Sequence, residues 1–266
     1  MNSFSHYRSY SSAQKLLTAT AFVLIGPLLI GCGTPLLTED EMYERAAALC
    51  DRGRGEEALQ ILDQIKDDGS QVGRSYYLKG VAYELNLEFE QSEKSYTKCL
   101  EKTPNDSDAL NNRGSVRYRQ GKFADAETDL NQAVQINPGD DLAWSNLSLV
   151  QRELGKLENS IASVKRALAI RPNPIHALQL SNLLLESDKL DEAEIYIQQS
   201  LKENPHTASA YLSRAILRGK QGRKDDAEAD LELARKYDVA LALQAAIGLV
   251  KQSLESNSSA NAPSDK

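Results

Sequence analysis

The residues able to do covalent or metal chemistry are few. The chain of 266 residues holds three cysteines, Cys32, Cys50 and Cys99, and three histidines, His6, His176 and His206. A thiol can serve as nucleophile, metal ligand or disulfide partner, but the last two roles need a second ligand at short spacing. Here no CxxC occurs and no histidine lies near a cysteine in sequence, so neither a zinc site nor a disulfide framework has support. No phosphate loop of the GxxxxGK[ST] type, no HExxH and no GxSxG is present. The acidic pairs Glu56-Glu57, Asp67-Asp68 and Asp225-Asp226 fall in turns or helix starts. Carboxylates are favoured there by the positive end of the helix dipole, so these read as solvated charges. His176 and His206 follow Pro172 and Pro205 and read as surface histidines. These observations predict no catalytic residue, no metal and no cofactor. The rival reading is a thiol-dependent enzyme through Cys50, which is either inert packing or an exposed thiol.

Cys32 has a different setting. Residues 1–15 carry only positive charge, on Arg8 and Lys15, and Leu16 to Ile30 is apolar apart from Thr18 and Thr20. That run falls short of the roughly 20 residues a helix needs to cross a bilayer. A basic start, a short apolar middle and small residues at its end describe a secretory signal peptide. Its last residues, Leu29-Ile30-Gly31-Cys32, resemble the lipobox of bacterial lipoproteins. The resemblance implies a diacylglyceryl group on the Cys32 sulfur and cleavage after Gly31, so that residues 1–31 are removed and 32–38 form a short lipidated tether. Several acyl chains give stable anchoring where one is marginal. Gly33, rather than an aspartate, permits outer-membrane sorting. The alternative is an uncleaved membrane anchor with an incidental cysteine.

Composition narrows the partners. With 31 basic against 38 acidic side chains the net charge is −7, and losing Arg8 and Lys15 makes the remainder more acidic. Nucleic acid, which rewards clustered Lys and Arg, is disfavoured. Attachment to a membrane would then rest on acyl chains rather than on attraction to anionic lipid.

The elements that position everything else follow from an internal period. Prolines recur at Pro104, Pro138, Pro172 and Pro205, spaced by 34, 34 and 33 residues. Small residues recur at Ala58, Ser92, Ala126, Ser160, Ala193 and Ala227. A second small series, Ala46, Gly80, Gly114, Ser148, Ser181 and Ala215, runs always twelve residues earlier. This 34-residue period resembles the tetratricopeptide repeat. The clearest unit, Ser107 to Asp140, carries Gly114, Gly121, Phe123, Ala126, Ala133 and Pro138 where the family has Gly, Gly, aromatic, Ala, Ala and Pro.

The resemblance implies an all-α, right-handed solenoid of antiparallel helix pairs. Six units tile the chain: 39–72, 73–106, 107–140, 141–173, 174–207 and 208–241. Small residues let paired helices approach closely. Larger ones fill the space between: Tyr76, Leu110, Trp144 and Tyr211 on first helices, and Tyr96, Leu130, Val164, Ile197 and Leu231 on second helices. Prolines stop the second helices. Cys99 takes a position usually filled by Ala, where a buried thiol acts as a small apolar group. One residue is lost in the loop Pro172-Asn173-Pro174, where the register bends between units. The first unit, with Gly55 and Ser70 at otherwise bulky and proline positions, matches the pattern least. Residues 242–255, with Leu243, Ala246, Ile247, Val250 and Leu254 on one face, are expected to cap the array. Residues 256–266 are polar and small and are expected to be disordered.

The resemblance also implies where a ligand would sit. The face of each first helix one residue beyond the packing row lines the concave groove of such arrays. Its candidates are Tyr77, Asn111, Asn112, Ser115, Tyr118, Arg119, Asn146, Leu149, Arg152, Leu178, Asn182, Leu212 and Ile216. The middle of this row is polar and its C-terminal third aliphatic. Asn112, Asn146 and Gln179 share one repeat position, and amides offer both donor and acceptor to an extended backbone. The competing reading is that these amides stabilise neighbouring repeats. Together the readings predict a membrane-anchored scaffold that binds protein or peptide partners in envelope assembly, such as a pilus or secretion system. Adaptors for envelope proteases or peptidoglycan enzymes, and a structural homo-oligomer, are the alternatives. The expected location is the bacterial envelope, at the outer membrane facing the periplasm.

Overall fold

The computed structural model describes residues 37–66 and 71–237. Cys32, the leader and the expected capping helix lie outside them. The described residues form twelve helices and no strand. The chain divides into two compact units, Met1–Pro138 and Gly139–Lys266. The first holds α1 (Glu39–Asp51), α2 (Gly55–Leu62), α3 (Val72–Leu85), α4 (Phe89–Lys102), α5 (Ser107–Arg119) and α6 (Phe123–Ile136). The second holds α7 (Asp141–Glu153), α8 (Leu157–Ile170), α9 (Pro174–Glu186), α10 (Leu190–Glu203), α11 (Ala208–Lys220) and α12 (Lys224–Tyr237). No described helix is long and apolar enough to cross a membrane.

Local signals account for these boundaries. Thr38 opens α1 with a capping box: its hydroxyl accepts from the Glu41 N–H while Glu41 accepts from the Thr38 N–H. Asp106, Asp140 and Asn173 cap α5, α7 and α9 through their side-chain oxygens. Pro104, Pro138, Pro172 and Pro205 each stand two residues past a helix end. Between paired helices the chain turns through one left-handed residue: Gly53, Leu87, Gly121, Gly155, Asp188 or Gly222. The next N–H then donates back to a carbonyl five residues earlier, as Lys122 does to Arg117 at 2.9 Å. That closes the first helix in a Schellman turn and satisfies a carbonyl it would otherwise leave open. Leu87 is anomalous, since it holds φ 63° and is exposed.

Both series of small residues are buried where paired helices cross. At Gly80 an added Cβ would lie 2.7 Å from the Tyr96 ring, and at Gly114 2.7 Å from Leu130 Cγ. The twelve-residue offset also has a polar expression. Ser92 donates to the Gly80 carbonyl and Ser160 to the Ser148 carbonyl, each at 2.7 Å. Tyr96, Leu130, Val164, Ile197 and Leu231 fill the cores as expected. On the first helices only Leu110 of the four expected fillers is buried; Tyr76, Trp144 and Tyr211 stay half-buried. Tyr77 takes the inward place instead, its ring edge-on to Tyr96 at 5.9 Å.

Contacts between successive helix pairs differ in chemistry. At the α4–α5 junction, Arg117 donates to Glu93 at 2.9 Å while also meeting buried Asp129 on α6 at 2.8 Å. Arg113 holds Asp129 with two further bonds and reaches Thr97 of α4 at 3.2 Å. Burial would raise the Glu93 pKa, but hydrogen bonds from Lys122 and Arg117 overcome it and hold this carboxyl below its ordinary value. The α10–α11 junction repeats the scheme. Arg214 and Arg218 hold fully buried Asp230, and Glu194 of α10 adds its charge beside Arg214. At the α8–α9 junction the corresponding residues are apolar: Ile161, Leu180 and Leu184 share one core.

Two substitutions test this account. Gly80→Ala should lower the unfolding free energy by roughly 1–3 kcal/mol, because the methyl meets a ring that is packed on all sides. Leu87→Gly should raise it by roughly 0.5–1 kcal/mol: relief of the left-handed strain exceeds the added entropy of the unfolded chain. Denaturant midpoints read both, and the opposite sign at either position would overturn the argument there.

Candidate functional site

In the second unit, α7, α9 and α11 enclose a groove of about 570 Å³. Leu149 and Arg152 come from α7, Gln179, Asn182 and Glu186 from α9, and Ser209, Leu212, Ser213, Ile216 and Lys220 from α11, with Leu183 and Leu185 at the back. Five of the sequence-derived candidates, Leu149, Arg152, Asn182, Leu212 and Ile216, therefore meet at one place. Asn146 and Leu178 lie on the same helices but outside this lining.

The groove is built by first helices alone. Every third or fourth residue of α9 turns inward, and Leu180, Leu183 and Leu184 fix its position in the core. The intervening residues are thereby presented sideways. Leu212 and Ile216, one turn apart on α11, pack partly on a core of Ala215, Ala227 and Leu231, which leaves their outer surfaces available. The Asn182 amide oxygen accepts from the Ser213 hydroxyl at 2.6 Å, and Asn182, exposed, lines the groove. Arg152 donates to Glu186 at 2.9 Å, and Lys220 meets Asp188 at 2.9 Å. The cations at the rim are thus matched by carboxylates.

The shared amide position behaves differently. Gln179 accepts from the Ser145 hydroxyl at 2.6 Å and donates to the Ser145 carbonyl at 3.0 Å. Asn112 donates to the Tyr77 hydroxyl at 3.2 Å. Both amides join the first helices of neighbouring repeats. This supports the competing reading of the amide row at those two positions.

In the first unit the candidates do not assemble into a ligand-facing row. Tyr77, Asn111 and Ser115 are only 1%, 8% and 4% exposed, so they correct to packing residues. For Tyr77, the absence of a Cβ at Gly80 leaves room for the Tyr96 ring, against which Tyr77 packs edge-on. Tyr118 packs on Phe123 at 5.6 Å. Arg119 stands over Phe89 and reaches Glu84 at 3.6 Å. A concavity in this unit lies around Tyr76, Lys79, Tyr83, Lys94 and Lys98.

The groups expected to be chemically quiet divide. Cys50 and Cys99 are buried, and burial pushes their thiols up to about 12 and about 11. The open question over Cys50 is thereby answered as packing. His206 is exposed, its ring tilted against Tyr237 with centroids 4.9 Å apart. His176 is not a surface residue: it is 2% exposed, with Nε2 3.2 Å from Asp141 Oδ2. The residues missed from sequence are Asp129 and Asp230, buried acceptors for paired arginines. Their signal was a charge beside a core leucine in "AETDL" and "AEADL".

A tetratricopeptide repeat model matches residues 77–141, 111–173 and 178–239, more than half of the chain. The chain belongs to the tetratricopeptide repeat family, whose members are generally non-enzymatic scaffolds for protein–protein interaction. No curated protein sequence matches it. Among solved structures, PilF of Pseudomonas aeruginosa has a TM-score of 0.67 at 22% identity, over 77% of this chain and 94% of that one. A tetratricopeptide repeat protein of Parabacteroides merdae has 0.63 at 20%, over 82% and 92%. YrrB, described as having an unusual peptide-binding site, has 0.56 at 18%, over 73% and 97%. At these identities the likeness is one of fold.

In the folded protein, Cys50 and Cys99 should resist an aromatic disulfide reagent at pH 8 and react fully once guanidinium unfolds it. Raised thiol pKa values also mean that this stabilising contribution is intact below 9.0 and lost as pH rises towards about 12. Stoichiometric labelling of native Cys50 would restore the thiol-chemistry reading.

Proposed function

We propose that the protein is a lipid-anchored scaffold of the bacterial envelope that binds protein or peptide partners through the groove of its second unit. The observation carrying this reading is the convergence of Leu212, Ile216 and Leu149 with the Asn182 amide on α7, α9 and α11. Apolar side chains half-exposed in a concavity, beside one orienting amide, favour a polypeptide ligand. The anchor rests on Leu29-Ile30-Gly31-Cys32 and the leader before it. Residues 33–38 form a tether whose reach is at most roughly 20 Å, so partners would be met near the headgroups. Assembly of an envelope complex, such as a pilus or secretion system, is the process this placement suits best.

Leu212→Glu combined with Ile216→Glu should abolish in-cell crosslinking to partners while the helical circular dichroism spectrum stays unchanged. Undiminished crosslinking by the folded variant would sink the groove reading. Separately, Cys32→Ser should stop incorporation of labelled palmitate and release the protein from the membrane fraction. Retention of both label and membrane attachment would refute the anchor.

A further inference from the structure

The groove's charges say what kind of polypeptide it takes. Its lining contains two cations, Arg152 and Lys220, and one anion, Glu186. Arg152 is paired with Glu186 across α7 and α9, and Lys220 with Asp188 in the turn after α9. These pairs are exposed and individually weak, so what matters is the local field rather than their strength. That field is close to neutral, and it sits on a chain of net charge −7. An acidic or phosphorylated segment would meet no unmatched cation there and would be repelled by the whole molecule. The remaining recognition surface is aliphatic, from Leu149, Leu212 and Ile216, with the free end of the Asn182 amide set between α9 and α11. A volume of about 570 Å³ holds a few side chains, as ligand pockets do.

We infer that this groove recognises a partner segment without net negative charge, anchored by Leu, Ile, Val or Met side chains and oriented by one main-chain hydrogen bond to Asn182. The inference rests on the groove reading of the preceding subsection and adds the chemistry of the ligand.

Panning a random dodecapeptide display library against the full chain in detergent tests it. Leu212→Glu/Ile216→Glu protein serves for counter-selection, and Asn182→Ala as a second variant that leaves the core untouched. Enriched sequences should carry aliphatic anchors with zero or positive charge. A synthetic peptide of that consensus should bind with a Kd changing less than about two-fold between 50 and 500 mM salt. Adding two flanking aspartates should weaken it about two- to three-fold at 50 mM salt and less at 500 mM, and Glu186→Gln, which removes the carboxylate paired with Arg152, should recover part of that loss. Enrichment of Asp- and Glu-rich sequences, or steep salt dependence, would overturn the inference while leaving the groove as a binding site. If a synthetic 238–266 peptide bound with the same sensitivity to Leu212 and Ile216, the occupant would be this chain's own tail, and the inference of a partner segment would fall. If no sequence distinguished the native protein from both variants, the groove reading itself would fail.

Discussion

Everything in this structure depends on how closely two helices of a pair can approach. The approach is set at one crossing, where residues twelve apart in sequence meet with almost no side chain between them. Gly80 against Ser92 and Ser148 against Ser160 show the contact in its polar form, with a hydroxyl donating directly to the opposing carbonyl. Ala46 with Ala58 and Ala215 with Ala227 occupy the same place in its apolar form. Close approach brings the larger residues of both helices into one layer. It also leaves each pair with an uncovered apolar side that only the next pair can bury. The repeat is therefore a requirement of the packing, and the functional surface is whatever the stacked first helices do not bury.

That surface is smaller than a periodic reading suggests. A side-chain row that repeats every 34 residues can be used twice over: to join neighbouring repeats or to meet a ligand. Gln179 and Asn112 join repeats, since their amides close on Ser145 and Tyr77. Asn182 closes on Ser213 through its oxygen only, and Leu212 and Ile216 make no such bond; all three line the concavity, which Gln179 also borders. The division between scaffold and site thus falls within one helix face.

The fold was legible in the sequence because its determinants are periodic. Small residues, prolines and turn glycines each mark a repeated physical need. Gly121 stood out in the repeat pattern; Gly53, Gly155 and Gly222 share its left-handed turn in the structure, and Leu87 and Asp188 occupy the same conformation without a glycine. In the second unit, displacement by one residue from the packing row gave residues that line one groove. The site was not legible in the first unit, where Tyr77 turns inward beside Tyr96, over the room left by Gly80 three residues along the same helix. His176 was misplaced for a related reason. Its partner Asp141 lies 35 residues away, outside any pattern within a repeat. Cys50 is a case where sequence left two readings open and burial alone chose between them.

The changing chemistry of the junctions has a consequence for assembly. Stacked repeats of similar shape are in danger of being interchangeable, so that a helix pair could dock out of turn or exchange with another molecule's pair. Here the sockets are keyed. Arg117 on α5 expects Glu93 on the helix before it, and Arg214 on α11 sits beside Glu194 on α10. Leu180 and Leu184 on α9 expect Ile161. Docking a cationic key into the aliphatic socket would strand charges in a dry layer, an error costing several kcal/mol. The contacts thereby set the aliphatic α8–α9 socket apart from the α4–α5 and α10–α11 sockets, which share one ionic key.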